Sequence, residues 1–418
     1  MDKRIEDLIE LTKGKYGLDR YYLHNWDISR SITIFNKTEY TLSMEWFPNH
    51  LKEWNDEDYS PKGTASIEID IHSKKTRSVI FVGGVSYAEK IRFDVNEKKE
   101  IIRWMEKETG LSYGEQFEIW KEEEREIHFK EYINGFDVSP SGYMECHFDE
   151  EGRLTFFSVI GEFHSKNLVH EETYTLTLEQ VENLAREQLR LIELPNMEED
   201  RIVPAYLIEE IWIKNDGLHT LPFEGLEKSR WEMNTVIEWN QTISPPFQRK
   251  KITLTEEVTP DQAFQCEPHP GLDSITDEER QKCMAAIREF LSQEYAKDSG
   301  KWIVKSLYRD NGYIQAAIHL VEQKERVFKR KLKVFIDRNT YKAVNYLDNK
   351  WLFHEYMDLR ESEEIKITYE QAFEKIKPFL ELTPCYVYDV EQGGYILCGK
   401  LDCHYEVNAH TGNVKPID

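Results

Sequence analysis

The sequence predicts an α+β fold of tandem small modules, each a helix packed on an antiparallel β-sheet. Three observations carry that expectation. Apolar residues at helical spacing alternate along the chain with runs of period two, the pattern of a helix followed by strands. The strand runs end on a recurring acidic or polar turn, at Ile67-Glu68-Ile69-Asp70, Cys146-His147-Phe148-Asp149, Val334-Phe335-Ile336-Asp337 and Tyr405-Glu406-Val407-Asn408. Such repetition argues for several small units rather than one large catalytic domain.

Residues 1–90 form the first expected module. Ile5, Leu8, Ile9 and Leu11 have helical spacing, and Gly14 and Gly17 end the helix. Alternating runs near 27–35, 40–47, 65–71 and 78–82 then read as a four-stranded antiparallel meander. The second module, 91–165, opens with Asn96 as N-cap and a helix carrying Ile101, Ile102, Trp104 and Met105, closed by Gly110. Strands follow near 124–132, 142–148 and 153–161. Asn134-Gly135 marks a tight hairpin, and Asp149 to Gly152 a second turn.

The third module, 166–255, diverges most. Thr177 and Gln180 make a capping box, and the helix is expected to run through Val181, Leu184, Ala185, Leu189 and Ile192. Strands are expected near 202–214 and 229–243. Residues 244–273 hold the richest cluster of prolines and mark the main boundary. The fourth module, 274–355, has Thr276 as cap with Glu279 three residues on. Strands are expected near 302–308, 313–321, 329–336 and 341–347. The last, 366–418, has one helix opened by Thr368 and roughly three strands.

Composition narrows the class. The 418 residues are 40% apolar, 32% charged and 12% aromatic, which suits packed cores and disfavours disorder. Acidic residues outnumber basic ones 78 to 54, a net charge of −24. That field repels phosphate backbones and anionic membranes, so no nucleic acid partner is expected. No window resembles a membrane span, and the start of the chain reads as an acidic amphipathic helix rather than a secretory leader. The expected compartment is the cytoplasm.

The final module resembles a PepSY-type domain. The likeness rests on a Thr-led helix with Gln371-Ala372 and on the ending Tyr405-x-Val407-Asn408-Ala409-x-Thr411-Gly412-x-Val414, with Asn408 where the family usually has Asp. Several such units in order resemble the YcdB/YcdC-type repeat proteins. The resemblance implies small α+β, cystatin-like modules. It also implies a peptidase-inhibiting or chaperoning role, since PepSY-type modules occur in metallopeptidase propeptides. The turns have a reading of their own. An Asp or Asn leaving a strand accepts backbone N–H bonds two residues on, and Gly152 and Gly412 supply positive φ.

No nucleotide-binding, zinc-peptidase or serine-hydrolase motif occurs, and no cofactor is expected. Cys385, Cys398, Cys403, His404 and His410 are the densest set of metal-type side chains. They lack C-x-x-C spacing, and Cys403 and His404 point to opposite faces of a strand, so no metal ligands are assigned. Acid runs such as Glu122-Glu123-Glu124 read as solvated faces, and no catalytic residue is assigned. The aromatic clusters remain as the candidate binding surface: Trp54 and Tyr59 in the long loop 47–62, and Trp212, Trp231 and Trp239 in the divergent module. The leading expectation is a non-enzymatic binding or regulatory protein with a protein or peptide partner, engaged through a sheet edge. The alternatives are a hydrolase with a carboxylate or metal site between modules, and a structural scaffold.

Overall fold

The first helix forms where local signals place it. In the computed structural model, α1 spans Lys3–Tyr16. The structure describes all residues except 52–58, 96, 198, 222–229, 241–244, 322–328, 355–358, 361–362 and 418. The Asp2 carboxylate accepts the Arg4 backbone N–H at 2.9 Å, and Gly17 ends the helix at φ 67°. Both devices satisfy backbone groups that a helix end leaves open. Gly14 lies within α1 rather than at its end, and Leu11 is exposed.

The meander follows as β1 (Tyr21–Ile32), β2 (Thr38–Pro48), β3 (Ala65–Asp70) and β4 (Thr76–Phe81), all antiparallel. Alternation decides the buried face: Tyr40, Leu42, Met44 and Trp46 point inward from β2. Next come α2 (Lys98–Thr109), closed by Gly110, then β5 (Phe117–Glu123), β6 (Glu126–Ile133), β7 (Phe136–Ser139), β8 (Tyr143–Phe148) and β9 (Leu154–Ile160). Asn96, the expected cap of α2, lies outside the described residues. Asn134 and Gly135 both have positive φ, the backbone that the β6–β7 turn requires.

Two compact units emerge. The first comprises Met1–Glu172, Glu256–His269 and Cys385–Leu397. Its sheet runs β1-β2-β3-β4-β9-β8-β6, with β5 along the far edge of β6. Helices α1 and α2 give Ile5, Leu8, Ile9, Ile101 and Met105 to one core with Phe129, Met144, Cys146 and Phe157. The other sheet face is polar. There Glu68 accepts hydroxyl bonds from Ser43 and Ser78.

The second unit comprises Thr173–Thr255, Pro270–Pro384 and Cys398–Asp418. It opens with α3 (Leu178–Glu187), which has the expected Thr177/Gln180 capping box but stops short of Leu189. Leu189–Asn196 is strand β10, in full antiparallel register with β11 (Arg201–Ile208). Pairing across the sheet overrides the helical spacing here. Pro195 fits because β10 is an edge strand. The expected strand 202–214 is two: β11 and β12 (Ile211–Lys214). After β13 (Thr220–Leu221) and β14 (Trp231–Ile237), the Pro-rich segment contains α4 (Pro260–Phe264), whose Ala263 joins the first unit's core.

Helix α5 (Asp277–Glu294) carries the Thr276/Glu279 capping box. It is followed by β15 (Trp302–Asp310), β16 (Tyr313–Leu320), β17 (Lys331–Asp337) and β18 (Ala343–Asp348), which with β14 form a five-stranded antiparallel sheet. Ile287, Phe290 and Leu291 of α5 pack with Trp302, Val304, Ile318 and Val334. After α6 (Lys350–His354) come α7 (Tyr369–Ile376), β19 (Glu381–Asp389), β20 (Gly394–Asp402), β21 (Tyr405–Asn408) and β22 (Val414–Pro416). Helices α3 and α7 share one core through Val181, Ala185, Ala372, Phe373 and Ile376, beneath the sheet β10-β11-β21-β22. The fold is thus mixed α+β and mostly antiparallel sheet.

The recurring turns have the chemistry expected of them. Asp70 accepts the Ser73 N–H, and Asp149 accepts those of Glu151 and Arg153. Asp337 accepts from Asn339 and Thr340, and Asn408 from His410 and Thr411. Those bonds, first the one from Thr340, hold the Asp337 carboxyl below the usual range.

Candidate functional site

The first unit's outer sheet face brings together a constellation built from two short phrases. Strand β6 carries Glu126-Ile127-His128, and β8 carries Glu145-Cys146-His147. Period two sends Ile127 and Cys146 into the core and the Glu and His side chains outward. Because the strands are antiparallel, Glu126 faces His147 and His128 faces Glu145 in register. The four polar side chains therefore form a square, each Glu beside a His along its strand and across it.

The atoms inside the square are close. Glu126 Oε2 lies 3.9 Å from Nε2 of both His128 and His147. Glu145 Oε2 lies 3.2 Å from His128 Nδ1 and 4.0 Å from His147 Nε2. The Tyr143 hydroxyl is 2.7 Å from His128 Nδ1. Burial first, and then the Glu145 charge, push that phenol upward from its ordinary pKa. The His147 ring stacks on Phe156 at 4.7 Å and 26°. Its Nε2 is sealed from solvent and has no hydrogen-bond partner.

The face continues on both sides. Between Ile119 and Lys121 the β5–β6 register slips, and Trp120 at that bulge is 55% exposed. A bulge re-aims a side chain in this way. Trp120 meets Tyr143 edge-on at 5.9 Å, which joins it to the square. On the other side, a cleft of about 550 Å³ is lined by Glu126 and His147 together with Arg125, Asp149, Glu151 and Arg153. A neighbouring cleft of about 700 Å³ is lined by Lys98 and Arg125 and by the acids Glu122, Glu123, Glu124 and Glu126.

A second polar cluster lies inside the same unit. Glu131 is fully buried and accepts from the Gly142 N–H at 2.6 Å and from the His164 N–H at 2.6 Å, with His164 Nδ1 at 2.8 Å. These bonds satisfy a carboxylate that burial alone would make costly. Nearby, the Tyr395 hydroxyl is buried without a hydrogen-bond partner. Burial and the charges of Glu131 and Glu162 push it well up. Glu162 is itself pushed up to about 7, chiefly by burial.

The aromatic residues singled out from the sequence are dispersed. Trp54 lies outside the described residues. Tyr59 is 74% exposed in the first unit. Trp212 is buried in β12. Trp231 on β14 is partly exposed, with the Arg280 guanidinium 4.9 Å from its ring centre. Trp239 packs against the α5 core, and its backbone N–H is 2.8 Å from Ser299 Oγ. Trp120 was the aromatic missed, because its exposure depends on a bulge.

Cys403 is buried and His404 exposed, but both lie in the connection between β20 and β21 rather than on one strand. Burial raises the Cys403 thiol. Cys266 Sγ approaches His72 Nε2 at 3.5 Å. Among the described residues, no group of three or more His, Cys, Asp or Glu could hold a metal ion. Nor is any helix among them long and apolar enough to cross a membrane.

No family model and no curated protein matches this chain. Among solved structures, it is similar to the Bacillus megaterium YpeB C-terminal domain. The identity is 9%, with 82% of this chain and 96% of that chain covered, at a TM-score of 0.25. A similarity at that score carries no argument about function.

Proposed function

We propose that this chain is a non-enzymatic binding or regulatory protein that receives an extended, basic peptide segment along β5. The observation that carries the reading is the open edge of β5 with Trp120 exposed at its bulge. Among the described residues no strand pairs the outer edge of β5. Its backbone groups there are available to a further strand. Glu118, Glu122 and Glu123 line the same strand, Glu122 paired with Lys98 and Glu123 with Lys121, and the adjoining cleft adds Glu124 and Glu126 beside Arg125, so acids still outnumber bases there. Acidic walls favour a basic ligand and steer its approach. A PepSY-like modular build, divided at 1–90, 91–165, 166–255, 274–355 and 366–418, is part of the proposal, and so is a peptidase-inhibitor-like role.

The test uses an alternating Lys/Val octapeptide and its Glu/Val counterpart, titrated against the full chain by calorimetry. The basic peptide is expected to bind, with affinity falling as salt rises. Trp120→Ala is expected to weaken it about tenfold or more, the loss of one aromatic anchor. Equal binding of both peptides, or an unchanged affinity in a folded Trp120→Ala variant, refutes the proposal.

A further inference from the structure

We propose that Cys266 is a site of thiol–disulfide exchange, taking up one half of a small-molecule disulfide of neutral or positive charge, with His72 as the base for its thiol. The inference uses none of the residues of the peptide reading and is independent of it.

Three observations converge. First, Cys266 Sγ stands 3.5 Å from His72 Nε2 and 4.0 Å from its Nδ1. An activated nucleophile needs a base within reach, and the base needs a group that orients it. His72, in the β3–β4 turn, meets the Tyr40 ring edge-on at 6.1 Å and the Phe264 ring at 6.5 Å. Two aromatic rings thus hold the imidazole at the thiol. Second, Cys266 is exposed, and the other five cysteines are buried. No second thiol of the chain is open at the surface to close an internal disulfide, so the partner sulfur comes from solution. Third, the turn that carries Cys266 is fixed in place. Cys266 has φ 54°, a backbone that favours glycine, and its N–H donates to the Ala263 carbonyl at 3.1 Å. Ala263 is fully buried in the first unit's core. The Tyr40 hydroxyl donates to the Glu267 carbonyl, Arg30 Nη1 to the Pro268 carbonyl at 3.2 Å, and the His269 N–H to Thr38 Oγ1 at 2.7 Å. A residue held in a sparsely populated conformation by such anchors points to function.

The exchange balances in atoms and electrons. His72 Nε2 takes the thiol proton, and the thiolate attacks one sulfur of the disulfide. The new S–S bond joins Cys266 to that half as the old S–S bond breaks. The departing thiolate takes the proton back from His72 and leaves as a free thiol. The Cys266 sulfur is oxidised and the departing sulfur reduced, so no other oxidant is needed. Charge sets the class of disulfide. The chain carries a net charge of −24, and Asp261 and Glu267 lie on the same segment, so anionic disulfides are repelled.

The experiment treats the reduced full chain at neutral pH with dithiodipyridine, a neutral disulfide, and follows release of the thiopyridone by absorbance. The expected result is one fast equivalent per chain, mapped to Cys266 by mass spectrometry. Cys266→Ser should remove it. His72→Gln should keep the equivalent and slow it about tenfold, and the two rates should converge in concentrated urea, where the pair is apart. Relative to their rates with a free thiol peptide, cationic cystamine should gain over anionic oxidised glutathione at low salt. Circular dichroism checks that the variants are folded. A fast equivalent that survives Cys266→Ser overturns the inference. So does an unchanged rate in folded His72→Gln, or a difference between parent and variant that persists in urea. The reverse order of the two charged disulfides overturns the assigned class.

Discussion

Replacing Glu162 by Gln should stabilise the first unit at alkaline pH and leave it little changed in mild acid. Burial pushes this carboxyl from its ordinary 4.5 to about 7. The Thr33 hydroxyl bond and the charges of Arg77 and Lys37 act against burial, while Glu39 reinforces it. The folded state therefore holds the proton more tightly than the unfolded chain. The associated stability is fully present below pH 4.5 and is lost as pH rises through about 7. At about 1.36 kcal/mol per pH unit the whole shift would correspond to roughly 3.4 kcal/mol. The side chain is only partly buried, and solvent screening reduces this to about 1–2 kcal/mol. A glutamine keeps the shape and cannot ionise. Urea denaturation of both proteins, followed by circular dichroism from pH 5 to pH 8, should show the variant's advantage growing by about 1 kcal/mol. An advantage that stays flat, or shrinks as pH rises, refutes the assignment of a buried, proton-holding carboxyl.

Three further changes probe the architecture. Gly152 has φ 77°, and a Cβ there would lie 2.0 Å from the Phe93 carbonyl oxygen. Gly152→Ala should cost at least about 2 kcal/mol, read as a lowered denaturation midpoint. Phe373 is fully buried in the core shared by α3 and α7. Phe373→Ala should destabilise the second unit by about 3–5 kcal/mol in urea titration. Thr276→Ala removes the Glu279 N–H bond at the start of α5 and should cost about 1 kcal/mol, seen as a small fall in Tm.

What could be read from the chain depends on how locally each feature is encoded. Thr177, Thr276 and Thr368 mark helix starts because both partners of a capping box lie three residues apart. Asp149 and Asn408 mark turns for the same reason. Strand β5 was not legible. Only Phe117 and Ile119 alternate inward, the run Trp120 to Glu123 is exposed, and pairing with β6 makes the whole stretch a strand. Strand β10 is ambiguous in the sequence because Leu189 and Ile192 fit either period until β11 is placed beside it. The partition into two units was also hidden. Cys385–Val387 lies parallel to Asp137–Ser139, a pairing with no local signature in either stretch.

The candidate site shows the same boundary between local and non-local information. An excess of 24 acids makes any run of carboxylates uninformative, so Glu122 to Glu124 cannot be told from a solvated face. Large aromatics are equally ambiguous: Trp212 is in the interior, while Trp120, on a strand that was not foreseen, is outside. Glu-x-His twice within 22 residues is a better signal, because period two puts both polar residues of each phrase on one face. It becomes a site only through register. A slip of one residue between β6 and β8 would turn one phrase's Glu and His to the opposite face from the other's. The buried Ile127 and Cys146 fix that register from the core side. The hydrophobic pattern, which carries no chemistry itself, is therefore what sets the two histidines and the two glutamates on one face.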